Sequence, residues 1–249
     1  MYQMLISTVH GLYKERYAYR ESMTDVIVQN LITDVKVRIK CKDLVKKLAV
    51  YKNKLAVQLP DKIVVYEVET NDPKDMNYKG KKSISKRLEC SLFFITGAHM
   101  ITCHDKRLDC FNLKGEKVRE WLMEHPVRFM KVLGGAEAKE ALLVSLKSGH
   151  VYEVFVDSSF PVLLLKQPNA VRYVDMSMQR QKMAIIDDNA TLFVYSLAKG
   201  QGELLYQEPN ANSVAWNSYY EDMLAFSGNG NISIVVANFP PRRQRLQVW

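Results

Sequence analysis

Short apolar runs separated by turn residues recur along the chain, and they follow the period of β-strands rather than that of helices. Four stretches each contain two such runs around a short polar turn: KLAVQLPDKIVVYEV, HMITCHDKRLDCFNL, ALLVSLKSGHVYEVF and KMAIIDDNATLFVYS. The turns contain Pro, Gly, Asn or Asp, which tolerate positive φ or supply the local hydrogen bonds that a hairpin needs. The pattern therefore predicts a series of β-hairpins.

The hairpins recur at a nearly constant distance. The first apolar residues after the successive turns are Ile63, Leu108, Val151, Leu192 and Ile232, with separations of 45, 43, 41 and 40 residues. This period is typical of the four-stranded blade of a β-propeller. An earlier interval fits less closely, with Val26 lying 37 residues before Ile63, and LYKERYAYRES, MTDVIVQNL and DVKVRIKC as its strands.

The sequence thus predicts an all-β fold, a single WD40-like propeller segment over residues 1–249 with about six four-stranded blades. The predicted blades cover approximately residues 1–41, 42–88, 89–125, 126–168, 169–209 and 210–249. No run resembles an overlapping closure strand, so we expect sequence outside this chain to complete the ring. The longest polar connection, Glu69 to Arg87, is predicted to be an insertion within or beside the second blade.

The last repeat, Asn212 to Val236, departs from the WD pattern. Val236-Ala237-Asn238 stands where a WD repeat ends in Trp-Asp, a pair that belongs to a buried polar network. We therefore expect this blade to be held by apolar packing, with Trp216 packed between blades.

The cysteines and the N-terminus indicate a reducing compartment. The N-terminal stretch lacks the basic region and unbroken apolar core of a signal peptide, and no run approaches the roughly 20 apolar residues of a transmembrane helix. The chain has four cysteines and no Cys-x-x-Cys pair. Cys103 and Cys110 flank a tight turn among apolar neighbours, which favours buried thiols over zinc ligands.

The formal charge of +8 is concentrated in one stretch. Between Lys36 and Lys54 the only acid is Asp43, and the basic residues are Lys36, Arg38, Lys40, Lys42, Lys46, Lys47, Lys52 and Lys54. The first four alternate with Val35, Val37, Ile39 and Cys41, which is typical of an outer strand with its apolar side inward and its lysines blocking edge pairing. The alternative is a docking patch for an acidic partner or an anionic membrane.

The sequence contains no recognisable catalytic motif. It lacks a phosphate-binding loop, a Gly-x-Ser-x-Gly elbow and a His-Glu-x-x-His pair, and its five histidines are scattered. Asp187-Asp188 is interpreted as a hairpin turn rather than a catalytic pair. The sequence therefore predicts a protein that is not an enzyme, without cofactor, metal or small-molecule substrate, and no motif indicates nucleic-acid binding.

Four segments resemble the intraflagellar transport protein 122 family, a WD-repeat subunit of intraflagellar transport complex A. They are STVHGLYKERYAYRESMTDVIVQNLI, VRIKCKDLVKKLAVYKNKLAVQLPDKIVVYE, VDSSFPVLLLKQPNAVRYVDMS and YQEPNANSVAWN. The resemblance implies two propellers followed by a helical repeat array, with this chain corresponding to the second propeller without its last portion.

The resemblance further implies a non-catalytic scaffold that binds other complex A subunits, at the cilium and ciliary base on the cytoplasmic side. Retrograde transport, cilium assembly and ciliary entry of membrane-protein cargo are the processes it would support. The alternative is a basic membrane- or cargo-docking face on a coat-like WD-repeat trafficking protein outside cilia, which depends only on the charge cluster.

Overall fold

The computed structural model describes residues 9–70, 72–198, 200 and 202–236, together with the strand Arg242–Gln247. Within these residues every regular element is a β-strand, and the strands form six sheets of four. The predicted all-β fold is confirmed. Residues 1–8, where a signal peptide was sought, and Ala237 and Asn238, where a Trp-Asp pair is missing, lie outside the described residues. The described part contains no helix that could cross a membrane.

Each sheet is a meander whose strands pair in chain order. Sheet 1 consists of β1 (His10–Tyr13), β2 (Arg16–Arg20), β3 (Asp25–Asn30) and β4 (Lys36–Lys40). Sheet 2 consists of β5 (Lys47–Tyr51), β6 (Lys54–Gln58), β7 (Ile63–Glu67) and β8 (Lys79–Ile84). Sheet 3 consists of β9 (Leu92–Ile95), β10 (His99–His104), β11 (Arg107–Asn112) and β12 (Lys117–Leu122).

The second half of the chain repeats the arrangement. Sheet 4 consists of β13 (Val127–Gly134), β14 (Ala141–Leu146), β15 (His150–Phe155) and β16 (Val162–Lys166). Sheet 5 consists of β17 (Val171–Met176), β18 (Lys182–Asp187), β19 (Leu192–Ser196) and β20 (Glu203–Glu208). Sheet 6 consists of β21 (Ser213–Trp216), β22 (Met223–Gly228), β23 (Asn231–Val236) and β24 (Arg242–Gln247).

The repeat period is confirmed by where its anchor residues lie. Val26, Ile63, Leu108, Val151, Leu192 and Ile232 all lie in the third strand of their sheet. The least regular interval, at the N-terminus, differs in one respect. LYKERYAYRES is predicted to be one strand, but it contains the end of β1, a turn with Lys14 at φ 50°, and β2. Lys14 and Glu15 form a tight turn without Gly, Pro, Asn or Asp, so the usual turn signals are missing.

In sheets 4 and 5, burial falls from the second strand to the fourth. All six residues of β14 are buried, and β18 is buried from Met183 to Asp187. By contrast, β16 and β20 contain no buried residue. Strand β18 packs against sheet 4 on one face and sheet 6 on the other, so it forms a continuous apolar run instead of alternating.

The cores lie between successive sheets. One joins sheets 1 and 2 through residues such as Val28, Leu48 and Val57. Others join sheet 4 to sheet 5 and sheet 5 to sheet 6, the last including Trp216, which is 6% exposed. The prediction that Trp216 packs between blades is confirmed.

The chain divides into two compact units. The first unit contains sheets 1 and 2 and most of sheet 3. The second contains sheets 4, 5 and 6 together with Asp105–Arg107 and Trp121–Gly135.

Turn chemistry follows the sequence at several hairpins. Asn229 and Gly230 have φ angles of 51° and 72°, as the β22–β23 turn requires. At Gly149, φ is 86° and a Cβ would stand 2.2 Å from the Gln167 carbonyl oxygen, so the β14–β15 turn requires glycine. In the β18–β19 turn, Asp187 accepts hydrogen bonds from the backbone N–H groups of Asn189 and Thr191, both at 3.0 Å. The interpretation of Asp187-Asp188 as a turn is confirmed.

The segment from Glu69 to Arg87 is not only a connection. Its residues Lys79–Ile84 form β8, the outer strand of sheet 2, and Met76 is buried in the core between sheets 1 and 2. The sequence concealed this strand because five of its six residues are exposed, so no hydrophobic alternation marks it.

Candidate interaction surface

The fold divides the basic run from Lys36 to Lys54 among three places. Lys36, Arg38 and Lys40 lie on β4, the outer strand of sheet 1, and Lys42 follows directly. Lys47 begins β5, the first strand of sheet 2, and Lys46 directly precedes it. Lys52 and Lys54 belong to the β5–β6 hairpin. The eight residues predicted as one patch therefore do not share a strand or a sheet edge.

The outer strand β4 has the predicted alternation over most of its length. Ile39 is 7% exposed and Val37 half-buried, whereas Lys36, Arg38 and Lys40 are exposed. The expectation for Val35 is wrong, because this residue precedes the strand and is 48% exposed. The pleat that turns alternate side chains inward begins only at Lys36.

The four basic residues at this edge differ in their partners. Arg38 forms ion pairs with Glu21 at 2.6 Å and with Asp25 at 3.2 Å, which hold it against its own sheet. Among the described residues, Lys36, Lys40 and Lys42 have no carboxylate within ion-pair distance. Three exposed ammonium groups therefore remain for an external anion.

Exposed apolar side chains precede β4 in the loop after β3. Ile32 is 73% exposed and Leu31 is 52% exposed. The loop is ordered by Asn30, whose side chain accepts hydrogen bonds from the N–H groups of Ile32 and Thr33 at 2.9 and 3.0 Å. The sequence does not reveal their exposure, because an apolar pair next to a predicted strand is expected to be buried in the core.

The outer strand of sheet 2 is also basic. Lys79 and Lys81 approach Glu69 at 3.0 and 3.8 Å, while Lys82 is exposed. The hydrogen bond and charge of Lys79 lower the pKa of Glu69 below its ordinary value. Two consecutive sheets of the first unit thus have lysine-rich outer strands, as suits edges guarded against pairing.

Lys46 and Lys47 line a cavity of about 260 Å³ formed by the first strands of sheets 1, 2 and 3. The Lys47 ammonium donates a hydrogen bond to the Ser91 carbonyl oxygen at 2.8 Å. His10 also lines the cavity, and none of the described lining residues carries a carboxylate. The lining is therefore basic, with the Lys47 ammonium engaged by the Ser91 carbonyl oxygen.

Lys54 has a structural partner. Its ammonium lies 2.8 Å from the Glu67 carboxylate on the paired strand β7. Burial acts to raise the pKa of Glu67, but the hydrogen bond and charge of Lys54 lower it below its ordinary value. Lys54 is thus engaged within its own sheet, and Lys52 lies 5.3 Å from the Tyr51 ring centroid.

The cysteines are reduced, and the predicted burial of Cys103 and Cys110 is confirmed at 0% exposure for both. Within the described ranges, no three His, Cys, Asp or Glu side chains come together as metal ligands. Burial raises the pKa of the half-buried Cys41 thiol, which keeps it protonated.

A buried carboxylate ties the first strands of the second unit together. Asp175 on β17 accepts hydrogen bonds from the Lys131 ammonium on β13 at 2.5 Å and from the Trp216 N–H on β21 at 2.8 Å. Sheet 6 thus has the apolar core expected from its sequence, and this buried hydrogen bond is added to it. The bond uses the backbone of Trp216, so it leaves no trace in the residue types of that repeat.

Comparison with known proteins gives a consistent result. The model described as "IFT122 second beta-propeller" matches residues 10–249. Intraflagellar transport protein 122 homolog from Homo sapiens is 55% identical over 246 residues, covering 99% of this chain and 20% of that protein. The Danio rerio homolog is 52% identical, covering 99% of this chain and 21% of its own length. The chain thus spans about a fifth of the length of these curated relatives.

Solved structures agree on the fold alone. Hsv2 of Kluyveromyces lactis superposes with a TM-score of 0.66 at 10% identity, covering 91% of this chain and 72% of that one. A form of this Hsv2 whose loop 6CD is replaced by a Gly-Ser linker gives 0.61 at 12% identity, covering 95% and 83%. These matches confirm the propeller fold.

Proposed function

The chain belongs to the IFT122 second beta-propeller family, and on this premise we propose that it is a non-catalytic scaffold of intraflagellar transport complex A. The family match over residues 10–249 is the observation that carries the proposal. The surface supports it, because the outer strands and their exposed lysines offer contacts to other proteins.

The finer roles follow from the same proposal. As part of this complex, the protein would act at the cilium and ciliary base, supporting retrograde transport, cilium assembly and entry of membrane-protein cargo. Its partners would be the other WD-repeat and helical-repeat subunits.

Co-purification tests the scaffold proposal. The full-length protein carrying this propeller is expressed with tagged complex A subunits, beside a form from which the propeller is deleted. We expect the intact protein to elute with the other subunits in one peak, and the deletion to weaken that association. Intact, folded protein that elutes separately from every other subunit would contradict the proposal.

A second candidate function is docking at an anionic membrane through the edge of sheet 1. The supporting observation is that Lys36, Lys40 and Lys42 are exposed and have no carboxylate partner in the described part of the chain, next to the exposed Leu31 and Ile32. Basic groups attract anionic headgroups, at about 1 kcal/mol for each residue near the surface, and apolar side chains enter the interface.

Liposome sedimentation tests the docking surface. The triple variant Lys36→Glu, Lys40→Glu, Lys42→Glu is expected to lose binding to vesicles rich in phosphatidylserine. The control variant Lys106→Glu, Lys139→Glu, Lys147→Glu makes the same charge change at exposed lysines of the second unit and should retain it. Equal loss in both variants, or none in either, would exclude a specific basic edge.

A further inference from the structure

One outer strand lacks the charges that the others carry. The outer strands β4, β8, β12, β20 and β24 each contain two or more charged residues. By contrast, β16 runs Val-Leu-Leu-Leu before ending at Lys166. Lysine and other charges on edge strands prevent pairing with further chains. The edge of sheet 4 is thus the least protected of the six.

The apolar side chains at this edge are exposed. Phe160, two residues before the strand, is 81% exposed, and Val162 and Leu163 are 47% and 52% exposed. By comparison, Leu204 on the neighbouring outer strand β20 is 49% exposed, but that strand begins with Glu203 and ends with Glu208. Exposed apolar groups that cluster on an edge mark interaction sites more often than isolated ones do.

Two hydrogen bonds fix the backbone that leads into β16. The Trp121 indole N–H donates a hydrogen bond to the Ser158 carbonyl oxygen at 2.9 Å, and Trp121 itself is 2% exposed. The Phe160 N–H donates in turn to the Ser158 hydroxyl at 3.2 Å. The approach to β16 is therefore prearranged, which lowers the entropic cost of binding at this edge.

We propose that β16 is a docking edge for an extended apolar segment of another subunit, which adds a fifth strand to sheet 4. An edge strand presents unpaired N–H and C=O groups, so a strand satisfies this surface better than a helix does. The exposed ammonium of Lys166, at the end of β16, favours a partner segment with a carboxylate beside it. The exposed Asp157, before the start of β16, disfavours a carboxylate at that opposite end of the partner segment. This inference rests on the scaffold function proposed above.

Hydrogen–deuterium exchange in the full-length protein tests the proposal directly. The backbone amides of Val162–Lys166 are compared between the isolated protein and the reconstituted complex A, with Glu203–Glu208 as the reference strand. Pairing with a fifth strand should slow exchange at alternate amides of β16 by about tenfold or more, and leave β20 unchanged.

A substitution that adds a charge to the edge strand provides an independent test. Leu163→Lys places a charge on the unprotected edge, and Leu204→Lys makes the same change at a similarly exposed position of β20. We expect Leu163→Lys to weaken retention of one complex A subunit by about tenfold and Leu204→Lys to leave it unchanged.

The outcomes separate the two proposals. If the complex assembles but exchange at β16 is unchanged, the docking edge is overturned and the scaffold function stands. The same conclusion follows if Leu163→Lys and Leu204→Lys retain the complex A subunits equally well. Failure of the unmodified protein to assemble overturns the scaffold function and with it this inference. Protection of β16 that instead rises with the concentration of the isolated protein identifies a second copy as the occupant and also overturns the proposal.

Discussion

The two units use their charged residues differently. In the first unit, Arg38 pairs with Glu21 and Asp25, and Lys54 with Glu67, all within single sheets. In the second unit, Lys131–Asp175 and Arg180–Glu153 join sheets 4 and 5, and Lys182–Asp222 joins sheets 5 and 6. Ion pairs therefore link neighbouring sheets in the second unit, whereas many charged side chains of the first unit face solvent.

The first unit joins its sheets by bonds to neutral groups. Arg16 on β2 is 3% exposed and donates to the Tyr78 hydroxyl at 2.8 Å and to the Asp72 carbonyl oxygen at 2.9 Å. Lys86 donates to the Gly115 carbonyl oxygen at 3.0 Å and lies 4.0 Å from the Phe111 ring centroid. These contacts use Arg16 and Lys86, so the lysines of β4 take no part in joining the sheets.

The largest expected effect is at the buried carboxylate. Asp175→Ala removes the acceptor for the Lys131 ammonium and the Trp216 N–H, and we expect a loss of about 3 kcal/mol in the free energy of unfolding. Urea unfolding of the purified chain measures it. The control Asp222→Ala removes the exposed partner of Lys182 and should cost under about 0.5 kcal/mol. Equal losses of unfolding free energy in the two variants would contradict the prediction that the buried Asp175 contributes more than the exposed Asp222.

Arg16→Ala should have an intermediate effect. It leaves the Tyr78 hydroxyl without its donor, so we expect a loss of about 2 kcal/mol that does not depend on salt concentration. Burial raises the pKa of Tyr78 while the Arg16 hydrogen bond lowers it, so the variant should raise this pKa further. Titration of phenolate absorbance, with Tyr78→Phe to assign the signal, measures the shift. An unchanged pKa would contradict the contact.

The smallest effect concerns alkaline pH. Burial, with a smaller contribution from Cys41, raises the pKa of Tyr66 from 10.0 to about 12. The unfolded chain therefore loses this proton first, so stability present below pH 10 is lost as pH rises toward 12. Tyr66→Phe should show a shallower decline of the unfolding midpoint between about pH 10 and 12. Parallel declines in the two proteins would refute the assignment.

Strand positions were largely predictable, and the exceptions have physical causes. The anchors Ile63 and Val151 were found because a buried strand between two turns has a strong local pattern. In contrast, β8 is mostly exposed and carries no such pattern. The candidate patch was predicted from adjacency in sequence, but the chain crosses from the outer strand β4 to the first strand β5 in the middle of the run.

What the sequence determined by itself was the repeat: hydrophobic period, turn residues and spacing are local properties, and they suffice for strands, hairpins and blades. Only the tertiary structure decided which charges remain free. Whether a lysine meets a carboxylate, as Lys131 meets Asp175, depends on residues 44 positions apart brought together by sheet packing. The unguarded edge at β16 is likewise visible only once the strand is known to be the outermost of its sheet.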